Sequence, residues 1–349
     1  MQNSSHSHAY KNILAEIESF ILQPDIYEGN FNSLALRLFL YQLKHNSGYS
    51  KICTAVNKRE ANCWQEIPSL TTDVFKLDPT PTCLKAEETS LTFMTSGTTG
   101  EARGCHHFRD TKLYDLSILS AWEQLDLPQP SRLFILTPPP QQAPHSSLSH
   151  MMETLRQAHC PDACYLIDNG KLDPAPLLEA LAADQPVSLL GTALAFLNLF
   201  EVLPTPIQLP AGSWAMETGG YKGSGRTLSK EELYTEFETM LGISSDLIWN
   251  EYSMTELSSQ FYTRGIGQPH QAPHWMKIKV LDPETDQAVA PGEMGYLVIH
   301  DLANIDSVSA LRTQDLAIYH DPHSFTLVGR DPSALPRGCS RSIDEALNQ

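Results

Sequence analysis

Positive charge is what this sequence has least of. Its 349 residues carry 24 Lys and Arg against 41 Asp and Glu, a formal net charge of −17. Binding a phosphate backbone requires a basic face, so nucleic acid is excluded as a partner and docking on anionic membranes is disfavoured. Long apolar runs are missing too. The most apolar window, "SLLGTALAFLNLFEVL" from Ser188, is too short and too polar to span a bilayer. It reads as a strand ending near Gly191 with a helix beyond, and no membrane insertion is expected. "MQNSSHSHAYKN" has no basic segment leading into an apolar stretch, so no signal peptide is expected. The seven cysteines are odd in number and scattered, which fits reduced thiols in a cytoplasm rather than a disulfide framework. Neither "HCPDAC" (His159, Cys160, Cys164) nor "GCHHF" (Cys105, His106, His107) has the paired Cys-x2-Cys spacing of structural zinc, and ordinary side chains are expected there.

What is present is an ordinary globular composition, 41% hydrophobic and 19% charged, in a chain long enough for a substantial core. Residues 11–45 carry helical spacing, as at Leu34, Leu38 and Tyr41, with cap residues in "GNFNS". Residues 46–90 have weak periodicity and are expected to be mixed. From 90 to about 260, the short apolar runs "LTFM", "RLFILTP", "CYLID", "VSLLG", "WAMET" and "LIWNEY" suit buried strands. Helical stretches such as "TKLYDLSILSAWEQL" and "LSKEELYTEFETML" lie between them. That alternation predicts an α/β fold with a largely parallel sheet covered by helices. After about 270, "WMKIKVLD", "GYLVIHD", "DLAIY" and "FTLVG", separated by turn clusters, predict a smaller β-rich section. The expected division is an α/β core at 1–265, a β-rich subdomain at 266–330 and a short tail at 331–349.

One loop stands out chemically. "TSGTTGEARG" offers hydroxyls from Thr95, Ser96, Thr98 and Thr99, and backbone amides made available by Gly97, Gly100 and Gly104. Arg103 adds forked donors suited to phosphate oxygens. The loop is not a Walker loop, because the terminal Gly-Lys-Ser/Thr and its four-residue gap are absent. A polar surface turn after a strand is the plainer alternative.

The string resembles the phosphate loop of the adenylate-forming superfamily, whose members activate a carboxylate with ATP to give an acyl-adenylate and pyrophosphate. Its usual Pro-Lys-Gly ending is replaced here by Ala102-Arg103-Gly104. Three further segments resemble that superfamily in the same order. "NEYSMTE" is similar to Tyr-Gly-x-Thr-Glu. The resemblance implies that Tyr252 lies against adenine, Thr255 contacts the α-phosphate and Glu256 reaches Mg²⁺, with Ser253 in place of the usual Gly. "LRTQD" is similar to Tyr-Arg-Thr-Gly-Asp, which implies that Asp315 accepts hydrogen bonds from the ribose hydroxyls, with Gln314 where Gly is usual. "LVGR" puts Arg330 at the place of a hinge and ribose-contacting Arg. Gly219 and Gly220 are expected to pass close to the base. ATP and Mg²⁺ are the implied cofactors, and the implied fold is the large adenylate-forming N-terminal-type domain.

A finer resemblance covers nearly the whole chain. "AMETGGYKGSGR", "NEYSMTELSSQFY", "LANIDSVSALRTQDLA" and "GRDPSALPRGCS" are similar to the LuxE-like acyl-protein synthetases. That likeness implies a fatty or other hydrophobic acid, and transfer of the acyl group to Cys339 in "PRGCS". From there it passes to a partner, an acyl reductase or an acyl carrier protein. Arg337 and Arg341 flank Cys339 and would favour its thiolate. Typical superfamily members carry a lid domain with an assisting lysine after the hinge, whereas nineteen residues (331–349) follow Arg330 here. The lid is expected to be absent or vestigial, leaving Lys222 and Arg103 as candidates for its charge. His145, in the loop after "TPPP", is a candidate neighbour of the substrate carboxylate, with a solvated loop histidine as the alternative. Two other functions stay open at this point: direct transfer of the acyl-adenylate to CoA or a carrier thiol, and a catalytically silent binding protein of the same fold.

Overall fold

The computed structural model of the protein describes residues 2–23, 30–95, 102–219 and 228–331. They fall into two compact units. The first comprises Met1–Ser120, Thr255–Ser259 and Gln271–Gln349; the second comprises Ala121–Met254 and Gln260–His270.

In the second unit, four strands run parallel in the order Leu133–Leu136, Ser188–Thr192, Trp214–Thr218, Ile248–Tyr252. Cys164–Tyr165 adds a short parallel edge beside Leu133–Leu136, and Phe261–Arg264 pairs antiparallel with Ile248–Tyr252. The strands are buried along nearly their whole length, as a sheet covered on both faces requires. Leu189, Ala215 and Ile248 meet Phe196, Phe200 and Phe237 from helices Ala193–Val202 and Lys230–Leu241 in one core. Three crossover helices start at a side-chain cap. Thr192 accepts the amide of Ala195, Ser146 that of Ser149, and Ser229 forms a reciprocal box with Glu232. Helix Lys230–Leu241 stops at Gly242, whose φ of +69° is left-handed, a conformation a side chain would strain.

The first unit has a meander of antiparallel strands, Met276–Leu281, Met294–Asp301, Ala310–Asp321 and Ser324–Arg330. Leu70–Thr71 joins the third of these in parallel. Met276, Ile278 and Val280 are buried and alternate with half-buried neighbours, the pattern of a strand with one covered face. A separate hairpin, Leu91–Met94 with Cys105–Phe108, carries the glycine- and hydroxyl-rich segment between its strands. Helices Gln2–Leu22, Phe31–His45 and Ser47–Ala55 complete this unit. Asn46 ends one helix and starts the next: its amide reaches the Gln42 carbonyl, and its side-chain oxygen accepts the Tyr49 amide. No helix among the described residues is long and apolar enough to cross a membrane.

The α/β architecture and the antiparallel section beyond it are those expected from the hydrophobic pattern. Residues 46–90, which show little periodicity, form one short helix, three 3-10 turns and a two-residue strand.

Candidate active site

The hairpin of the first unit is closed at its neck. The Thr95 amide donates to the Gly104 carbonyl at 2.9 Å, and the Gly104 amide donates to Thr95 Oγ1 at 2.8 Å. Thr95 therefore spends its oxygen on the loop's own backbone, although its hydroxyl hydrogen is still available to donate. A Cβ on Gly104 would stand 3.0 Å from the Thr95 methyl and 3.2 Å from Phe75 Cβ, so the motif's last glycine packs closely at the neck and a side chain there would crowd both neighbours. Arg103 is exposed beside it. Ser96, Gly97, Thr98, Thr99 and Gly100 lie outside the described residues.

Two residues past the neck, His106 ties this hairpin to the Thr255–Glu256 segment. Its Nδ1 donates to the Thr255 carbonyl at 2.8 Å, so Nε2, 2.9 Å from Ser307 Oγ, accepts from that hydroxyl. The ring is buried among Phe75 and Phe108, and burial pushes its pKa down to about 4, keeping it neutral. Asn304 Nδ2 donates to the Glu256 carbonyl at 2.8 Å, and the Asn304 carbonyl takes Gln42 Nε2 at 2.7 Å. Gln42 Oε1 accepts the Ser309 amide, and Asn46 Nδ2 reaches the Ser307 carbonyl. Helix Phe31–His45 thus pins the 304–309 turn, and the turn pins both His106 and Glu256. Buried Asp301 adds a further tie, accepting from the Ser258 amide at 3.0 Å and Ser259 Oγ at 2.9 Å. The structure in this way brings together the base of the phosphate-type loop and the segment bearing Thr255 and Glu256.

Asp315 and Arg330 are directly opposed across two antiparallel strands. Arg330 Nη2 donates to Gln314 Oε1 at 2.6 Å, and Gln314 Nε2 donates to Asp73 Oδ2 at 3.2 Å. Gln314, one of the departures from the superfamily pattern, therefore acts as the clamp that orients Arg330. Asp331 beyond it accepts Tyr296 OH at 2.5 Å.

In the second unit, the carboxyl ends of the parallel strands bear Thr192, Thr218 with Gly219, and Tyr252, the edge where open α/β sheets bind ligands. His145 is exposed in the loop that follows strand Leu133–Leu136. Tyr252 packs near Phe261 and His270, with ring centroids 6.0 and 5.9 Å away. Lys222 and Gly220 lie outside the described residues, as does Cys339.

A buried polar cluster on the same strand ends escapes sequence reasoning. Glu217 is fully buried; its Oε1 accepts from Lys230 Nζ at 2.5 Å, Asn250 Nδ2 at 2.9 Å and Tyr234 OH at 3.1 Å. Asn250 Oδ1 then accepts His270 Nε2 at 2.8 Å. On the next strand position, Glu251 accepts the Thr218 hydroxyl, and Ser253 also hydrogen-bonds it. Burial nonetheless pushes Glu251 up to about 7. Ser253, the second departure from the superfamily pattern, thus has a structural partner. The available signal was a charged residue inside the apolar run "WAMET" and another inside "LIWNEY", since buried charges are rare unless paired.

The model of the AMP-binding enzyme family matches residues 38–304. The chain belongs to that family. Among solved structures it is similar to an open conformation of 2-hydroxyisobutyryl-CoA ligase in complex with 2-HIB-AMP and CoA. The identity is 14%, over 88% of this chain and 76% of that chain, with a TM-score of 0.60. ATP-bound MatB from Rhodopseudomonas palustris is 16% identical over 72% of this chain and 50% of that chain, with a TM-score of 0.49. O-succinylbenzoate coenzyme A synthetase (MenE) from Bacillus subtilis, in complex with ATP and magnesium ion, is 16% identical over 73% and 53%, with a TM-score of 0.49. The chain thus spans about half the length of the latter two. At these identities the likeness is one of fold. No curated protein matches the chain in sequence.

Proposed function

We propose that this chain activates a carboxylic acid with ATP, forming an acyl-adenylate and releasing pyrophosphate. The observation that carries the reading is the His106 bridge, which joins the strand leaving the Gly/Thr loop to the Thr255 carbonyl. Membership of the AMP-binding family over 38–304 supports it. In this reading the loop amides, its hydroxyls and Arg103 hold phosphate oxygens, where fixed donors stabilise the charge that builds on the departing pyrophosphate. A substrate carboxylate oxygen attacks the α-phosphorus as the α–β anhydride bond breaks. Thr255 contacts the α-phosphate, Asp315 takes the ribose hydroxyls, Arg330 lies beside it, and Tyr252 with Gly219 and Gly220 borders the base. Glu256 fits a magnesium ligand by its chemistry, a hard carboxylate oxygen on a backbone that Asn304 fixes. When bound there, Mg²⁺ would neutralise phosphate charge.

The finer reading is of the LuxE-like type. The Cys339 thiolate attacks the acyl carbonyl, AMP leaves, and a thioester forms that a partner reductase or carrier consumes. A hydrophobic acid is the expected substrate, with Lys222 and His145 as the groups beside its carboxylate. A thiol within the same chain makes this step nearly unimolecular.

Acid-dependent exchange of labelled pyrophosphate into ATP tests the first step. Exchange with at least one hydrophobic acid, lost in Glu256→Gln, is the expected result, and no exchange across a broad acid panel would defeat it in favour of a silent binding protein. Incubation with radioactive acid and ATP tests the second step. Hydroxylamine-sensitive label that disappears in Cys339→Ser is expected; label persisting in that variant, or acyl-CoA forming without labelled protein, would remove Cys339 from the scheme.

A further inference from the structure

A cavity lined by none of the residues assigned above lies within the first unit. Its volume is about 590 Å³, in the range of small-molecule sites. One wall comes from helix Ser47–Ala55 and the 64–71 segment; the other comes from strand Met276–Leu281 and the turn that follows it. The lining is mixed in a particular way. Val56, Ile67, Leu70 and Leu281 give apolar surface, while the charged side chains are Lys58, Lys279, Arg312, Glu66 and Asp286.

The two carboxylates are already engaged. Asp286 pairs with Arg312 at 2.7 Å, and Glu66 accepts the Asn62 amide at 2.8 Å and its side-chain nitrogen at 3.2 Å. The two lysines are not neutralised in the same way. Among the described residues, Lys279 Nζ hydrogen-bonds the neutral Gln65 carbonyl alone, at 2.5 Å, and Lys58 makes no ion pair. Three cations against two carboxylates leave one positive charge over, in a chain whose net charge is −17. Burial and then the neighbouring Lys58 push Lys279 down to about 8, against an opposing effect of Cys63. A half-enclosed apolar slot with one uncompensated positive charge is complementary to an apolar body bearing one negative charge.

We propose that this cavity binds a small amphipathic carboxylate, its head between Lys58 and Lys279 and its chain along Val56, Ile67, Leu70 and Leu281. The site is separate from the activation chemistry and does not depend on it.

The experiment is photolabelling of the full chain, without ATP, by a medium-chain carboxylate carrying a diazirine, followed by peptide mapping. Crosslinks should fall within 52–71 and 278–289, and octanoate should compete. Octan-1-ol should compete about tenfold less well or worse, the worth of one charged hydrogen bond. Lys58→Met, a change at an exposed side chain, and Lys279→Met should each lower labelling by a similar factor, while Lys279→Arg retains it. Pyrophosphate exchange should be unchanged in all three variants. Labelling confined to other peptides, octanol competing as well as octanoate, octyl phosphate competing better than octanoate, or Lys58→Met labelling at the unsubstituted level would overturn the proposal.

Discussion

Replacing His106 with Phe separates the two things the imidazole does. Phenylalanine keeps the ring packing against Phe75 and Phe108, whose centroids lie 5.3 and 4.2 Å from the imidazole. It removes both hydrogen bonds, leaving the Thr255 carbonyl and the buried Ser307 hydroxyl without this partner. Each such group costs about 1–3 kcal/mol, so His106→Phe should be destabilised by about 3 kcal/mol at pH 7. Acid changes the comparison. The folded pKa is depressed from 6.5 to about 4, so this stability is fully present above pH 6.5 and is lost as pH falls towards 4. At pH 4.5 the unfolded wild-type chain binds a proton that the folded one refuses, which costs the wild type about 2.5 kcal/mol and the variant nothing. Glu251, Asp301 and Asp306, raised by burial to about 7, 6 and 6, shift stability in the opposite direction. Both proteins contain them, so they cancel in the difference. Urea unfolding at pH 7 and pH 4.5 should therefore show the variant's deficit shrinking from about 3 to below 1 kcal/mol. A deficit that is equal at both pH values would refute a neutral, doubly bonded histidine at this position.

Two further outcomes follow from the clusters described above. Lys230→Met should cost about 2 kcal/mol in urea unfolding, below the roughly 3–5 kcal/mol of a fully buried broken pair, because the lysine is 38% exposed while Glu217 is fully buried. The double variant Glu217→Gln/Lys230→Met should recover most of that loss; a double variant as unstable as the single one would mean that the ion pair is not its source. Gln314→Ala frees Arg330 from its 2.6 Å clamp. On the proposed reading it should raise KM for ATP by about three- to tenfold with kcat nearly unchanged, the pattern of lost uniform binding, and an unaltered KM would argue against a ribose role for Arg330.

Much of the scaffold was legible because burial imposes periodicity. "VSLLG" and "WAMET" are strands Ser188–Thr192 and Trp214–Thr218, "LSKEELYTEFETML" is helix Lys230–Leu241, and "GNFNS" supplies Asn30, which caps Phe31–His45. The window at Ser188 splits into strand and helix at Thr192, one residue past the expected Gly191, because the threonine hydroxyl caps the helix. The motifs pointed to an adenylate-forming enzyme, and the family match agrees with that class. The supports of the site were not legible. Gln42, His106, Asn304 and Ser307 are polar residues from three distant segments, and nothing in their local spacing announces that they meet. His106 sits in "GCHHF", where it invites a metal reading; its hydrogen bonds go instead to a carbonyl and a hydroxyl, and His107 pairs with Thr92 Oγ1 at 3.0 Å. Ser253 and Gln314 looked like erosion of a motif; in three dimensions each has a partner.

The paired hydrogen bonds between Thr95 and Gly104 act as a clasp, with consequences for how this protein can vary. Chain entropy lost in bringing those two residues together is met by the hairpin itself, and lengthening a closed segment adds only about 0.6 kcal/mol per doubling. The eight positions from 96 to 103 can accordingly change in composition or number while the flanking strands, and the histidine just beyond them, keep their register. On the proposed reading, phosphate contact and scaffold integrity are separately adjustable at this point in the chain.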